Sequence, residues 1–210
     1  MTAPRRALIV IDAQRDYFQG PLAIQHPPRE QSLANILAAL ETAERRGIPS
    51  VLVQHEFPEG APVFAAGSEG QRLQPDVERW ADRASARAVK SLASVFTAEG
   101  VLDRLREQEI DTVTLVGYMT NNCLIGSAAA AEPLGLAVEV LSDATGAIHL
   151  ANDAGSASAR QIHDTLMVLL HSNWAAVAET SAWAAAVADG RPLARGDLGA
   201  SAVQGAAAFA

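Results

Sequence analysis

Ala7-Leu8-Ile9-Val10-Ile11-Asp12 is the stretch whose reading decides the fold. Five consecutive β-prone apolar residues leave none to face water, so the segment reads as a strand covered on both faces, the habit of parallel sheets flanked by helices. From there Leu33, Ile36, Leu37, Leu40 and Ala43 recur at helical spacing across residues 32–46, with Ser32 placed as N-cap and Gly47 as the stop. Pro49-Ser50-Val51-Leu52-Val53-Gln54 supplies a second buried strand. Strand, helix and strand in that order imply a right-handed parallel crossover and an α/β domain.

Working outward, residues 56–75 are rich in Gly and Pro and read as a long loop beyond the carboxyl end of the second strand, with a length typical of functional loops. Further helices are expected near residues 76–83, 99–108, from about Cys123 onward, 156–171 and 181–187. Further strands are expected at 86–89, 112–116, 137–141 and 175–178. Residues 1–189 form one domain in this reading. Residues 190–210, Ala- and Gly-rich without aliphatic periodicity until Phe209, are expected to be a tail that orders only against a neighbouring subunit.

Composition excludes several classes of function. Apolar residues make up 49% of the chain and charged ones 19%, the balance of a globular protein with a real core. The net charge is −8 and the 16 Lys and Arg are scattered, so no positive stripe exists to meet phosphates and no nucleic-acid partner is expected. The apolar runs are far shorter than the roughly 20 residues of a membrane helix. Arg5 and Arg6 lead directly into a strand, unlike a signal peptide. The expectation is a cytoplasmic protein that does not engage membranes, and its one cysteine has no partner for an internal disulfide.

Open parallel sheets bind ligands at the carboxyl ends of their strands. Asp12, Lys90 and Cys123 each follow a different expected strand, and so converge there. A thiol attacks as thiolate, which a nearby cation stabilises. Lys90 can supply that charge, while Asp12 can take the thiol proton and return it to a leaving nitrogen. Taken singly, Cys123 reads as a packed hydrophobe, Lys90 as a surface charge and Asp12 as a turn former; their joint placement favours chemistry. Asp143 reads as a turn residue, and His149, His163 and His171 lack metal-ligand spacing.

Three segments carry a resemblance: Leu8-Ile9-Val10-Ile11-Asp12-Ala13-Gln14-Arg15-Asp16-Tyr17-Phe18, Lys90-Ser91-Leu92-Ala93-Ser94-Val95-Phe96, and Val116-Gly117-Tyr118-Met119-Thr120-Asn121-Asn122-Cys123. In order and spacing they resemble the signature regions of the isochorismatase-like cysteine hydrolases, over roughly residues 5–187. The resemblance implies a three-layer α/β/α sandwich around a six-stranded, mostly parallel sheet. It also implies a catalytic triad of Asp12, Lys90 and Cys123, a non-proline cis peptide at Tyr118–Met119, and an oxyanion hole from the N–H groups of Met119 and Cys123. Homo-oligomers, dimers or tetramers, are the family habit.

Members that cleave a vinyl ether generally lack the nucleophilic cysteine, so Cys123 points to hydrolysis of an amide, ureide or carbamoyl bond in a small molecule. Nicotinamidases of the superfamily carry an Asp-x-His metal motif after the second strand. Here that place reads Val53-Gln54-His55-Glu56-Phe57, so no metal and no cofactor is expected. The expected pocket walls are Gln14, Phe18, His55, Phe57, Phe64, Trp80, Tyr118 and Asn122, with Gln14 equally suited to orienting its loop. The alternatives are an idle family member that binds a small molecule or protein through the same cleft, and a redox sensor needing an intermolecular thiol partner.

Overall fold

The computed structural model describes residues 3–210. Six parallel strands form the central sheet in the order β3-β2-β1-β4-β5-β8. They are β1 (Arg6–Ile11), β2 (Ser50–His55), β3 (Ala86–Lys90), β4 (Thr112–Tyr118), β5 (Ala137–Gly146) and β8 (Ala176–Ala178). Every residue of β1, β2 and β4 is buried, because the apolar runs have helices on both faces. Ala7, Ile9 and Ile11 point into one apolar cluster with α3 (Val101–Glu107), α4 (Ile125–Ala131) and α5 (Ala159–Ser172). Leu8 and Val10 point into the other, with α1 (Arg29–Arg45), α2 (Pro75–Glu78) and α6 (Thr180–Ala188). This is the three-layer sandwich.

The chain leaves β1 toward β2 and β3 on one side, then crosses to β4, β5 and β8 on the other. The strand order therefore reverses between β1 and β4, where a crevice forms at the carboxyl ends. Gly117 makes that junction possible. Its φ is +100°, and a Cβ there would lie 2.1 Å from the Ile11 carbonyl oxygen, so no other residue fits beside β1.

Three local expectations are corrected. The first helix begins at Arg29 after Pro28, not at Ser32. The Ser32 hydroxyl sits inside the helix, 3.2 Å from the Arg29 carbonyl and 2.7 Å from the Tyr118 hydroxyl, so it links helix to sheet rather than capping. Gly47 does stop the chain, at φ +66°. Ser156 and Ala157, expected to open the fifth helix, instead belong to β7 (Gly155–Ala157), which pairs antiparallel with β6 (Leu150–Asn152) across a turn at Asp153-Ala154. The helix starts after Ser158, whose hydroxyl accepts from the Gln161 N–H in a reciprocal capping box. Finally, residues 190–210 are not without structure of their own: α7 (Leu198–Ala208) is capped by Asp197, whose carboxylate accepts from Ala200 N–H at 2.8 Å. Alanine needs no aliphatic periodicity to be helical, and none of the residues of α7 is buried.

Among the described residues no helix is long and apolar enough to cross a membrane.

Candidate active site

Four adjacent strand ends deliver four side chains. Lys90 is the last residue of β3 and pairs in register with His55, the last of β2. Asp12 directly follows β1, whose Ile11 pairs with Val53 on one side and Gly117 on the other. Cys123 lies in the π-helical turn Thr120–Leu124 beyond β4. Asp12 has φ +46°, a left-handed conformation that costs a non-glycine residue on the order of 1 kcal/mol and turns the chain out of the sheet at the carboxylate.

The Lys90 nitrogen is the hub. It lies 2.7 Å from Asp12 Oδ2, 2.9 Å from His55 Nδ1 and 3.2 Å from Cys123 Sγ. Three N–H bonds of an ammonium match three acceptors, and an ammonium accepts nothing, so His55 Nδ1 must be the acceptor. The neutral imidazole therefore carries its proton on Nε2. All four side chains are buried. Asp12 Oδ1 and His55 Nε2 are also buried, yet neither has a hydrogen-bond partner. Asp12, His55 and Cys123 offer ligand atoms within 4.8 Å of one another, a set that could hold a cation, and the Lys90 ammonium stands among them.

Burial dominates the electrostatics. It raises the Asp12 carboxyl from 3.8 to about 6 against the pull of Lys90. It pushes the Cys123 thiol up to about 12, with the Asp12 charge adding to the rise and Lys90 opposing it. Lys90 thus acts in the direction the sequence suggests, but does not win: the resting group is a thiol. His55 falls to about 4 through burial first and the Lys90 charge second, which keeps it neutral.

The turn carrying Cys123 is held from both sides. Thr120 Oγ1 meets Thr145 Oγ1 at 3.0 Å and His163 Nδ1 at 3.1 Å. Ser127 donates to the Cys123 carbonyl at 2.6 Å and accepts from the Val95 N–H. The Tyr118–Met119 peptide is cis. The Met119 carbonyl accepts from the N–H groups of Asn122 and Leu124, whereas the Met119 N–H meets no acceptor among the described residues.

The expected wall residues divide. His55 and Phe57 come together, ring centres 4.5 Å apart, and Phe64 stands 5.8 Å from His55. Phe18 packs edge-on to Tyr118, whose hydroxyl turns away to Ser32. Asn122 is on the turn but exposed. Trp80 is in the core cluster on the α1 face, with the Arg83 guanidinium 3.8 Å over its ring, so it acts as a packing aromatic. Gln14 orients rather than reaches outward: its amide donates to the carbonyls of His55 and Gln71 and accepts from the His55 N–H. These bonds, with Gln74 N–H to the Ala13 carbonyl, tie the 56–75 loop over the strand ends. Sequence reasoning missed Tyr17, which is buried against Phe64 and Tyr118 and whose hydroxyl is pushed up by that burial and then by the Asp12 charge. Its place five residues after the catalytic-edge aspartate was the available signal.

Comparison with known proteins agrees with this fold. A family model described as the isochorismatase domain matches residues 6–181. A crystal structure from Burkholderia xenovorans LB400, named for the isochorismatases, is 46% identical, covers 99% of each chain and superposes with a TM-score of 0.95. A Bacillus subtilis (strain 168) protein described as an uncharacterized isochorismatase family protein is 28% identical over 84% of this chain and 97% of its own. A Verticillium dahliae protein described as a secreted isochorismatase effector is 31% identical over 66% of this chain and 71% of its own.

Proposed function

The chain belongs to the isochorismatase family, and from that premise we propose that it is a cysteine hydrolase cleaving an amide, ureide or carbamoyl C–N bond of a small molecule through a thioester on Cys123. The observation that carries this reading is the Lys90 nitrogen bridging Asp12 at 2.7 Å and the Cys123 sulfur at 3.2 Å, with all three side chains buried. Relatives are named for a reaction on a vinyl ether, which does not call for a thiol nucleophile; a buried thiol beside a base and a cation does call for one.

Because the thiol rests protonated, the thiolate forms as it attacks. Asp12 takes the sulfur proton while Sγ bonds to the carbonyl carbon, and Lys90 holds the sulfur and carboxylate in place. Oxygen gains the negative charge and meets the free Met119 N–H and that of Cys123. The C–N bond then breaks, the nitrogen leaving with the proton from Asp12. Water attacks the thioester in the second half, gives its proton to Asp12, and releases the carboxylic acid and the thiol. Ammonia or an amine, plus an acid, is the balanced yield.

Hydrolysis of a panel of amides, ureides and carbamoyl compounds, followed by ammonia release and by intact-protein mass spectrometry, tests this directly. The expected result is turnover of at least one class with an acyl adduct on Cys123 that is absent from Cys123→Ala. A broad panel left untouched, with no acyl adduct on Cys123, would refute the hydrolase and favour a binding protein.

A further inference from the structure

Every polar atom around Lys90 is explained by the proposed thioester chemistry except one. His55 takes no part in proton transfer, its side chain is 7% exposed, and its Nε2–H is buried with no acceptor. A buried donor left unpaired is costly, of the kind that persists where a ligand satisfies it. Its tautomer is not free to change, because Nδ1 is committed to the Lys90 nitrogen at 2.9 Å. Nor does the ring readily become a cation beside Lys90; burial and that charge hold it near 4.

We propose that His55 is a specificity-determining residue that presents a fixed, neutral Nε2–H to a second carbonyl oxygen of the substrate, close to the carbonyl that Cys123 attacks. The proposal rests on the hydrolase reading for the reaction and adds the class of substrate to it. A neutral donor in a site whose charges, Lys90 and Asp12, already cancel suits a neutral acceptor better than an anion. One ring nitrogen of His55 lies within 4.8 Å of the sulfur and of an Asp12 oxygen, and Nε2 is on that same small ring, so one small substrate can reach both donor and nucleophile. Two carbonyls joined through a single atom, as in a malonamide or a biuret, meet that spacing. Phe57 and Phe64, with ring centres 4.5 and 5.8 Å from the imidazole, give this subsite an aromatic wall.

Malonamide and 3-methylbutanamide have nearly the same shape, and differ in whether the far end carries a carbonyl. Wild-type enzyme is expected to favour malonamide in kcat/KM by roughly tenfold to a hundredfold, the range for leaving one buried donor unpaired. His55→Gln places an amide N–H near the position of Nε2 and should keep much of that preference. His55→Asn places an acceptor near Nδ1 for Lys90 but offers no donor at Nε2, and should erase it. A role confined to holding Lys90 gives the opposite order, with His55→Asn active and His55→Gln impaired. Equal rates on the two amides in wild type, or a preference that survives His55→Asn, overturns the assignment.

Failure of the hydrolase reading is separable. In Cys123→Ala labelled with 15N-histidine, the His55 signal identified by its loss in His55→Gln should show the proton on Nε2, and malonamide but not 3-methylbutanamide should shift it. If no amide is hydrolysed and this shift is seen, the reaction is wrong and the donor assignment stands. A proton on Nδ1, or no shift with malonamide, overturns the assignment whatever the catalytic result.

Discussion

The sheet contains two buried ion pairs, one at each end of its strands, and they are built to opposite specifications. At the amino end Arg6 of β1 faces Glu139 of β5, with both side chains under 5% exposed. Three Arg6 contacts, the Thr114 hydroxyl and the Trp183 indole N–H all donate to that carboxylate, and Arg6 also reaches the Arg191 carbonyl. Neither side chain has a fully buried polar atom without a partner. At the carboxyl end Lys90 faces Asp12, equally dry, but one carboxylate oxygen and the neighbouring imidazole N–H have no partner. Saturation leaves the first pair nothing to offer a ligand; incomplete saturation leaves the second with the free carboxylate oxygen and N–H that the proposed chemistry uses. The residue types sharpen the contrast, since an arginine cannot shed its charge while an aspartate near 6 can.

The largest effect expected from this contrast is on rate. Lys90→Met should lower kcat/KM on the order of 10³-fold, within the range for losing a positioned charge and proton-transfer geometry. Its thermal cost should be small, because the stranded Asp12 can take up a proton. Equal loss of melting temperature and rate would break the comparison.

Glu139→Leu should behave in reverse. It strands a guanidinium that stays charged, at a cost of about 3–5 kcal/mol. For a chain of this size that lowers Tm by about 10 °C. Calorimetry and kinetics below the transition should show kcat/KM within about twofold of wild type, since Glu139 sits at the far end of the sheet. A larger Tm loss in Lys90→Met than in Glu139→Leu would mean that the two pairs are not distinguished by the ability of one partner to neutralise.

The pH profile separates the pairs again. Proton transfer from Cys123 needs Asp12 ionised, so kcat/KM should fall about tenfold per pH unit below about 6. Stability follows a different sign. Asp12 titrates higher in the folded state than its ordinary 3.8, so its contribution declines as pH rises from 3.8 to 6. His55 and His163, both near 4 against an ordinary 6.5, contribute stability that grows as pH rises from 4 to 6.5. Two histidine slopes against one carboxyl slope leave a net decline, so Tm should fall as pH drops from 6.5 to 4, and rates are compared at a temperature well below Tm at every pH. A rate loss that shrinks when the assay temperature is lowered further below Tm would tie the loss to unfolding rather than to Asp12.

How much of this was legible in the chain depends on the range of the interaction. β1 and β4 were readable because burial on both faces demands unbroken apolar runs, and the strand ends then placed Asp12 and Cys123 at one edge. The hairpin at 150–157 was not, since three-residue strands carry no period, and α7 was not, since Ala-rich helices lack an aliphatic stripe. Trp80 looked like a pocket wall because it follows the long loop, and only packing shows it facing α1. The Arg6–Glu139 pair spans 133 positions and left no local mark. The His55–Lys90 contact spans 35, and depends on β2 and β3 pairing in register.

Gln14 tests whether that register is actively held. Its amide makes three bonds to main-chain groups, at 2.8 Å to each of the His55 N–H and carbonyl and 2.6 Å to the Gln71 carbonyl. Gln14→Ala removes them where water does not readily replace them, a loss of about 1–3 kcal/mol. Displacing the His55 backbone by even a fraction of an ångström loosens the Lys90 contact, so kcat should drop roughly tenfold. Gln14→Glu keeps the acceptor for the His55 N–H and loses the donors, and should fall between the two. If Gln14→Ala instead raises KM alone, with kcat unchanged, the amide touches substrate and the strand ends hold their register without it.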